Sequence, residues 1–241
     1  MKNLMKQGWF GLMALVMTVG AAPAQQPSAD EILATARYVA TLQQTSLNGK
    51  LRRGNTETPI LLTLVEGQGI EFQVWTGKVW QKFQLKLGAN QYDLFEGVGS
   101  NIRKFDTRKL NQPVMNTDLT YEDLAFAFLY WPNGKVLGEE NLGIGRDAWR
   151  VRLVNPRAKG LYKTVDVWVH KKSGALMKIY GYRADGKCIK TFEVTDIMNV
   201  GGGEYSIKKM KVQSYNDAGR SIGVTYLEFD KPERAKPQGL R

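Results

Sequence analysis

Apolar and polar side chains alternate with a period of two along most of the chain, and this alternation constrains the fold more than any other feature. Ile70, Phe72 and Val74, for example, are separated by Glu71 and Gln73. Short turn sequences separate such runs, among them Gly77-Lys78, Ser173-Gly174 and Asp185-Gly186. This combination is typical of antiparallel strands joined by tight hairpins. We therefore predict a mainly β fold of the α+β class, built on one large antiparallel sheet.

Two segments have helical spacing instead. Residues 29–43 follow Ser28-x-x-Glu31, a capping box in which the serine hydroxyl and the glutamate carboxylate satisfy free backbone donors. Residues 118–131 are unusually apolar for a surface helix and end before Pro132. We predict one helix at each position, with an apolar side that the rest of the protein must cover.

A sheet of this size is expected to curl, because strand twist accumulates from strand to strand. The simplest arrangement is a curved sheet whose concave face is covered by the N-terminal helix and the mid-chain helix. An incompletely filled interior of this kind can hold an apolar ligand. Core packing is the more common role for any single apolar residue, but the inward positions provide eight candidate ligand-binding residues: Phe72, Val74, Phe83, Leu85, Leu124, Phe128, Trp149 and Val151.

The N-terminal residues 1–24 have the layout of a secretory signal peptide. Lys2 and Lys6 precede an uncharged stretch from Trp9 to Gly20, and small residues mark a cleavage site near Ala24. The alternative is a membrane anchor, but the apolar run is shorter than the roughly 18–20 residues that cross a bilayer. We expect cleavage, with no stable transmembrane segment in the mature chain and a location outside the cytosol.

The charge of the chain points to an anionic partner. Loss of residues 1–24 lowers the formal net charge from +11 to +9. Nucleic acid is not expected outside the cytosol, so envelope lipids or an acidic protein are the better candidates. Residues 231–241 carry two prolines and four basic residues, which predicts a basic, solvated tail.

Catalytic and metal-binding groups are scarce in this sequence. One His and one Cys, Cys188, exclude an intramolecular disulfide and a multi-histidine or multi-cysteine metal site. Glu139-Glu140 would point to opposite faces of a strand, and Glu122-Asp123 fits the electrostatics of a helix start. His170 is expected near a hairpin, and Gly97–Ile102 reads as a hairpin rather than a phosphate loop. We therefore expect no enzyme activity, no cofactor and no metal.

Three tryptophans, Trp75, Trp80 and Trp168, occupy the polar positions of their strands. Exposed tryptophans at such positions can mark a surface for a partner or a membrane interface. Packing beneath a helix or a neighbouring loop explains them equally well. The sequence leaves these two roles open.

Several short motifs accompany the order of helix, strands, inserted helix and strands. They are Leu119–Ala125 (LTYEDLA), Trp149–Leu153 (WRVRL), Tyr162–Val169 (YKTVDVWV), Tyr182–Lys187 (YRADGK), Lys190–Phe192 (KTF) and Lys208–Val212 (KKMKV). Together they resemble the LolA-like lipoprotein carrier superfamily, and most closely its periplasmic outer-membrane lipoprotein-sorting proteins. The resemblance covers roughly residues 28–230.

This resemblance implies a single LolA-like domain over residues 25–230, folded as an incomplete β-barrel closed by helices. It implies a periplasmic carrier that holds lipoprotein acyl chains, or another lipid, between an inner-membrane donor and an outer-membrane acceptor. In this family an arginine from an early strand pins the lid helices, and Arg52 and Arg53 are the candidates here. An envelope sensor or adaptor that binds a partner protein is the alternative, and a hydrolase would need a catalytic set that the sequence does not provide.

Overall fold

The computed structural model describes residues 26–39, 45–65, 69–87, 92–157, 160–201 and 204–232. The predicted signal peptide lies outside the described residues, as does the tail from residue 233 onward. Within the described part, no helix is long and apolar enough to cross a membrane. The predicted mainly β fold is confirmed: one antiparallel sheet dominates, with few helices.

Thirteen strands form this sheet within the described residues. They are β1 (Thr45–Arg53), β2 (Thr56–Val65), β3 (Gly69–Trp75), β4 (Trp80–Leu87), β5 (Tyr92–Val98), β6 (Asn101–Lys104), β7 (Lys135–Asn141), β8 (Asp147–Val154), β9 (Thr164–His170), β10 (Leu176–Tyr182), β11 (Cys188–Gly201), β12 (Glu204–Tyr215) and β13 (Ser221–Phe229). Their order is β6-β5-β4-β3-β2-β1-β13-β12-β11-β10-β9-β8-β7. The chain thus forms two meanders that meet where β1 pairs with β13. The sheet does not close, because β6 and β7 remain as its two edges.

The segment from Phe105 to Gly134 connects these two edges, since it follows β6 and precedes β7. We call it the strap. It contains a short 3-10 helix at Thr107–Lys109, then α2 at Tyr121–Ala125 and a second 3-10 helix at Ala127–Tyr130. Its residues Val114, Leu119 and Leu124 are buried in the same core cluster as the inward-facing strand residues. The strap therefore covers the concave face and gives the open barrel its lid.

The N-terminal helix, α1, spans Ala29–Val39, and the capping box predicted before it is confirmed. The Ser28 backbone N–H donates to the Glu31 carboxylate at 2.7 Å, and the Glu31 N–H donates to the Ser28 hydroxyl at 3.3 Å. The part of the prediction beyond residue 39 lies outside the described residues. Ile32 and Leu33 face the core and are buried, which stabilises the docked helix by about 1.5–3 kcal/mol for each such side chain.

The prediction of a single helix over residues 118–131 is wrong, because two shorter helical pieces occupy this region. Thr120 caps α2 through a capping box with Asp123, but Phe126 adopts a left-handed backbone (φ 44°) and ends the helix after five residues. The chain continues as a 3-10 helix that buries both Phe128 and Leu129.

Inward-facing residues of the strands form the core together with the buried side of α1. Leu51 and Ile60 are among its most buried members, and they follow the predicted alternation. The outer face is polar but not uniformly exposed. Trp168 is only 2% exposed there, because the side chains of Arg150 and Lys178 lie over its ring.

Candidate functional site

A cavity of about 730 Å³ lies between the concave face of the sheet, α1 and the strap. Its walls are mostly apolar and come from both meanders. The strands contribute Leu47, Leu62, Leu64, Ile70, Phe72, Leu85, Leu176, Ile179, Phe192, Val194, Met210, Leu227 and Phe229. The helical elements contribute Ala36, Val39, Leu124, Phe126 and Leu129. The volume falls in the range of pockets that hold small-molecule ligands.

One end of the cavity reaches the surface. The lining residues there are exposed and come from the β7–β8 and β9–β10 hairpins and from the facing ends of β11 and β12: Gly145, Ser173, Thr195, Asp196, Ile197 and Tyr205. We call this end the opening. A ligand that enters here would meet polar groups first and the apolar walls afterwards.

Arg53, the last residue of β1, ties the strap to the sheet. Its Nε donates to the Asp118 carboxylate at 3.1 Å, and its guanidinium also donates to the Asn116 carbonyl at 3.0 Å. The Thr225 hydroxyl donates to the same carboxylate at 2.8 Å. Arg52 points to the opposite face and pairs with Glu228 at 2.9 Å. Of the two candidates for an arginine that pins the lid, the geometry therefore selects Arg53.

A second tie joins α2 to the sheet. Asp123 pairs with Lys190 of β11 at 2.6 Å, and it accepts a hydrogen bond of 2.5 Å from the Tyr162 hydroxyl. Burial raises the pKa of Tyr162 well above its usual value, and the neighbouring Asp123 adds to this. The Tyr162 hydroxyl thus keeps its proton and donates it to the Asp123 carboxylate. The sequence interpretation of Asp123 as a helix-start charge accounts for its capping role but not for this buried ion pair.

Glu122, beside it, is engaged in a different way. Its carboxylate accepts the backbone N–H of Leu161 at 2.8 Å. Burial is the main cause that raises the pKa of Glu122 above its usual value. Glu122 therefore anchors the loop between β8 and β9 to the start of α2.

The third tie links the two helical elements. The Arg37 guanidinium of α1 donates to the Leu129 carbonyl of the strap at 2.6 Å and lies over the Tyr130 ring. On the other side, a Cβ at Gly174 would come within 2.4 Å of Thr35, so the β9–β10 turn packs directly against α1. α1 is thus held by the strap on one side and by the sheet on the other.

The eight predicted ligand-binding residues separate into two groups. Phe72, Leu85 and Leu124 line the cavity. The others lie in or against the core outside its lining: Val74, Phe83, Phe128, Trp149 and Val151. Phe83 packs edge-on against Phe105 at 5.2 Å between ring centres, so it holds the start of the strap in place.

The candidate catalytic groups have structural contacts. Nδ1 of His170 lies 2.8 Å from Oγ of Ser173, and Nε2 lies 3.0 Å from the Gly145 carbonyl oxygen. A serine–histidine hydrolase needs the second ring nitrogen for an orienting carboxylate, and here the carbonyl of Gly145 occupies it. Glu139 pairs with Lys171, whereas Glu140 binds Arg150 and Trp168. Among the described residues, no group of three or more potential ligands is placed to hold a metal ion.

The remaining motifs have simple placements. The segment predicted as a hairpin at Gly97–Ile102 is the β5–β6 hairpin. The rings of Trp75 and Trp80 lie 5.6 Å apart across the β3–β4 hairpin, and Trp80 is partly exposed. Cys188 starts β11 and is half-buried, and burial raises the pKa of its thiol.

The residue pattern alone does not single out Lys190, and only the family resemblance names Arg53 as one of two candidate arginines. Lys190 shares its strand parity with Phe192 and Val194, and Arg53 shares that of Leu47 and Leu51. A charged residue at a strand position that the alternation places in the core indicates a buried ion pair, because buried charges require a partner. The identity of that partner is set by the fold, since Lys190 and Asp123 are 67 positions apart.

A family model described as an uncharacterized protein family matches residues 90–237 of this chain. Comparison with curated proteins gives no match.

Solved structures with the same fold include a domain assigned to outer-membrane lipoprotein sorting from Vibrio parahaemolyticus, with 16% identity, a TM-score of 0.62 and coverage of 89% of this chain and 95% of that one. A LolA superfamily protein from Nitrosomonas europaea has 17% identity, a TM-score of 0.59 and coverage of 88% and 96%. A DUF1329 family protein from Desulfovibrio piger has 15% identity, a TM-score of 0.61 and coverage of 84% and 90%. At these identities the likeness establishes the fold, which is a LolA-like open barrel.

Proposed function

We propose that this chain, which belongs to the protein family whose model matches residues 90–237, is a carrier that binds acyl chains in its cavity. Its fold, which is that of LolA superfamily proteins, supports this proposal. The cargo is a lipoprotein or another lipid with an acyl chain. The observation that carries this proposal is the apolar cavity of about 730 Å³ beneath the strap.

Affinity in such a site comes from the removal of methylene groups from water, at about 0.8 kcal/mol for each. A cavity lined by Leu62, Phe72 and Leu227 offers no directional contacts to an alkyl chain. It therefore selects for apolar character rather than for one chain structure. This suits a carrier, which must release its cargo when an acceptor offers a better apolar site.

We propose a periplasmic location, after removal of the predicted signal peptide near Ala24. The lipoprotein-sorting assignment of a protein with the same fold supports this location. Donor and acceptor proteins in the inner and outer membranes would complete the transfer, in line with the carrier role.

We further propose that the protein binds rather than catalyses. The carboxylates singled out in the sequence hold structural partners: Asp123 holds Lys190, and Glu140 holds Arg150. His170 stabilises the β9–β10 hairpin through Ser173. These contacts give each of these side chains a structural role that requires no substrate.

Native mass spectrometry of the mature protein, purified from envelope extract without detergent, tests the carrier role. We expect a mass increment that corresponds to an acyl-containing molecule and that disappears after extraction with organic solvent. A protein that carries no lipid, and that also fails to bind a fluorescent fatty-acyl probe, would refute the proposal. Saturable binding to one envelope protein without any lipid would favour the sensor or adaptor role instead.

A further inference from the structure

Arg146 differs in its contacts from Arg52, Arg150 and Arg152, which are half-buried as it is. Arg52, Arg150 and Arg152 each pair with a carboxylate, at 2.9, 2.7 and 2.7 Å. Arg146 lines the cavity, but it makes no ion pair with any described residue. A guanidinium that is partly removed from water without a counter-charge is unfavourable, so its position calls for an explanation.

Among the described residues, the Arg146 side chain makes one hydrogen bond, and its acceptor is a backbone carbonyl. Its guanidinium donates to the oxygen of Val194 at 3.2 Å. That carbonyl lies where the pairing of β11 with β12 shifts register, between Val194 and Asp196. The bond is at the long end of the usual range, and a guanidinium carries five N–H donors. Most of the hydrogen-bonding capacity of Arg146 therefore remains for a ligand.

Arg146 is also in the right place to meet a headgroup. It follows Gly145 in the β7–β8 hairpin, at the opening, where exposed polar residues give way to apolar walls. Asp196 is the carboxylate that lines the same opening, and Lys208 neutralises it at 2.8 Å. An amphiphile with its chain in the cavity would thus place its polar end beside an uncompensated positive charge.

We infer that Arg146 binds the anionic headgroup of an amphiphile whose acyl chain occupies the cavity. The inference rests on the proposed acyl-chain carrier function and narrows its cargo. The headgroup is a terminal oxyanion, either a carboxylate or a phosphate, because the planar guanidinium fork matches both with two parallel hydrogen bonds. An acyl chain held only in a neutral ester or amide lacks such a group and gains nothing from Arg146.

Competition binding with three probes of equal chain length tests this inference. Palmitate, hexadecyl phosphate and methyl palmitate are used to displace a fluorescent acyl probe from the wild type, from Arg146→Gln and from Arg220→Gln. The last variant makes the same change in net charge at an exposed position outside the cavity lining. Circular dichroism and thermal unfolding confirm that each variant folds.

We expect Arg146→Gln to lower the affinity for at least one anionic probe tenfold or more. Its affinity for methyl palmitate should stay within twofold of the wild-type value. The probe that loses affinity identifies the headgroup as a carboxylate or a phosphate. Arg220→Gln should leave the affinity for all three probes unchanged. Equal losses for all probes, or no loss for either anion, would overturn the headgroup site while leaving the carrier function intact.

Failure of the wild type to bind any probe would instead overturn the proposed function itself, and the headgroup site with it. If Arg146→Gln does not fold, the salt dependence of the wild type tests whether a charge contact contributes to the binding of the anionic probes. Higher ionic strength should weaken the binding of an anionic probe more than the binding of methyl palmitate. The same dependence for all three would contradict the inference.

Discussion

Asp123 of the strap and Lys190 of the sheet form an ion pair of 2.6 Å in which the two side chains are 0% and 5% exposed. Neither charge has access to bulk water, so each depends on the other. The pair joins α2 to the centre of the second meander and fixes the lid above the cavity.

Asp123→Asn is therefore expected to be costly. It leaves the Lys190 ammonium buried without a counter-charge and should lower the free energy of unfolding by about 3–5 kcal/mol. Asp93→Asn is the matched control, because it breaks an exposed pair with Lys104 and should cost less than about 1 kcal/mol. Urea unfolding of the variants measures both values. Similar losses in the two variants would argue against a dominant role for the buried pair.

Arg53→Ala should loosen the strap. Asp118 would keep its bond from Thr225 but lose the guanidinium, and the Asn116 carbonyl would lose a donor. We expect faster amide hydrogen exchange in residues 114–120 and a stability loss of about 1.5–3 kcal/mol, in the range for a hydrogen bond to a charged group.

Arg52→Ala is the control for this effect, since Arg52 is the sequence neighbour that pairs with Glu228 on the outer face. It should leave exchange in the strap unchanged. If both variants accelerate exchange there to the same extent, the anchoring role of Arg53 is wrong.

A charge placed in the cavity should abolish acyl binding. Leu62 lines the cavity and Leu61 faces away from it, although both are half-buried on β2. Leu62→Asp should lower the affinity for a fluorescent acyl probe at least tenfold, because the alkyl chain would have to contact a carboxylate. Leu61→Asp makes the same substitution on the other face and should bind the probe as the wild type does. Equal binding by both variants would place the ligand elsewhere.

The raised pKa of Glu122 predicts a pH-dependent effect. Because burial raises its pKa above the usual value of 4.5, the folded state binds protons more tightly at this group than the unfolded chain does. Its contribution to stability is full below pH 4.5 and is lost as the pH rises through the folded-state pKa.

Glu122→Gln removes this ionisation while its amide oxygen can still accept the Leu161 N–H. We expect the variant to be more stable than the wild type at neutral pH and no more stable below pH 4.5. Denaturant unfolding at pH 7 and pH 4 gives the comparison. A variant that is less stable than the wild type at pH 7 would show that the carboxylate charge is needed there.

The sheet could be predicted from the sequence because each strand carries its own signal. The alternation around Phe72 and the turn at Asp185-Gly186 depend on neighbours within a few residues. The capping boxes at Ser28 and Thr120 are equally local. Such features give the antiparallel meanders and the positions of the helices.

The lid and the cavity could not be derived in this way. Phe126 adopts the left-handed backbone that ends α2, and no glycine marks this position in the sequence. Likewise, the contact of Arg146 with Val194 joins positions 48 apart and depends on how the sheet curves. Of the candidate residues, Phe72 and Phe83 share one strand-pair register, yet only the first of the two lines the cavity.

Photolabelling with a fatty acid that carries a diazirine in its alkyl chain tests the acyl-chain proposal most directly. After irradiation of the wild-type protein, peptide mapping locates the labelled residues. We predict labels on cavity-lining positions such as Leu62, Ile70 and Met210, and competition by unlabelled palmitate. Labels confined to the outer face of the sheet, or labels that palmitate does not displace, would contradict acyl-chain binding in the cavity.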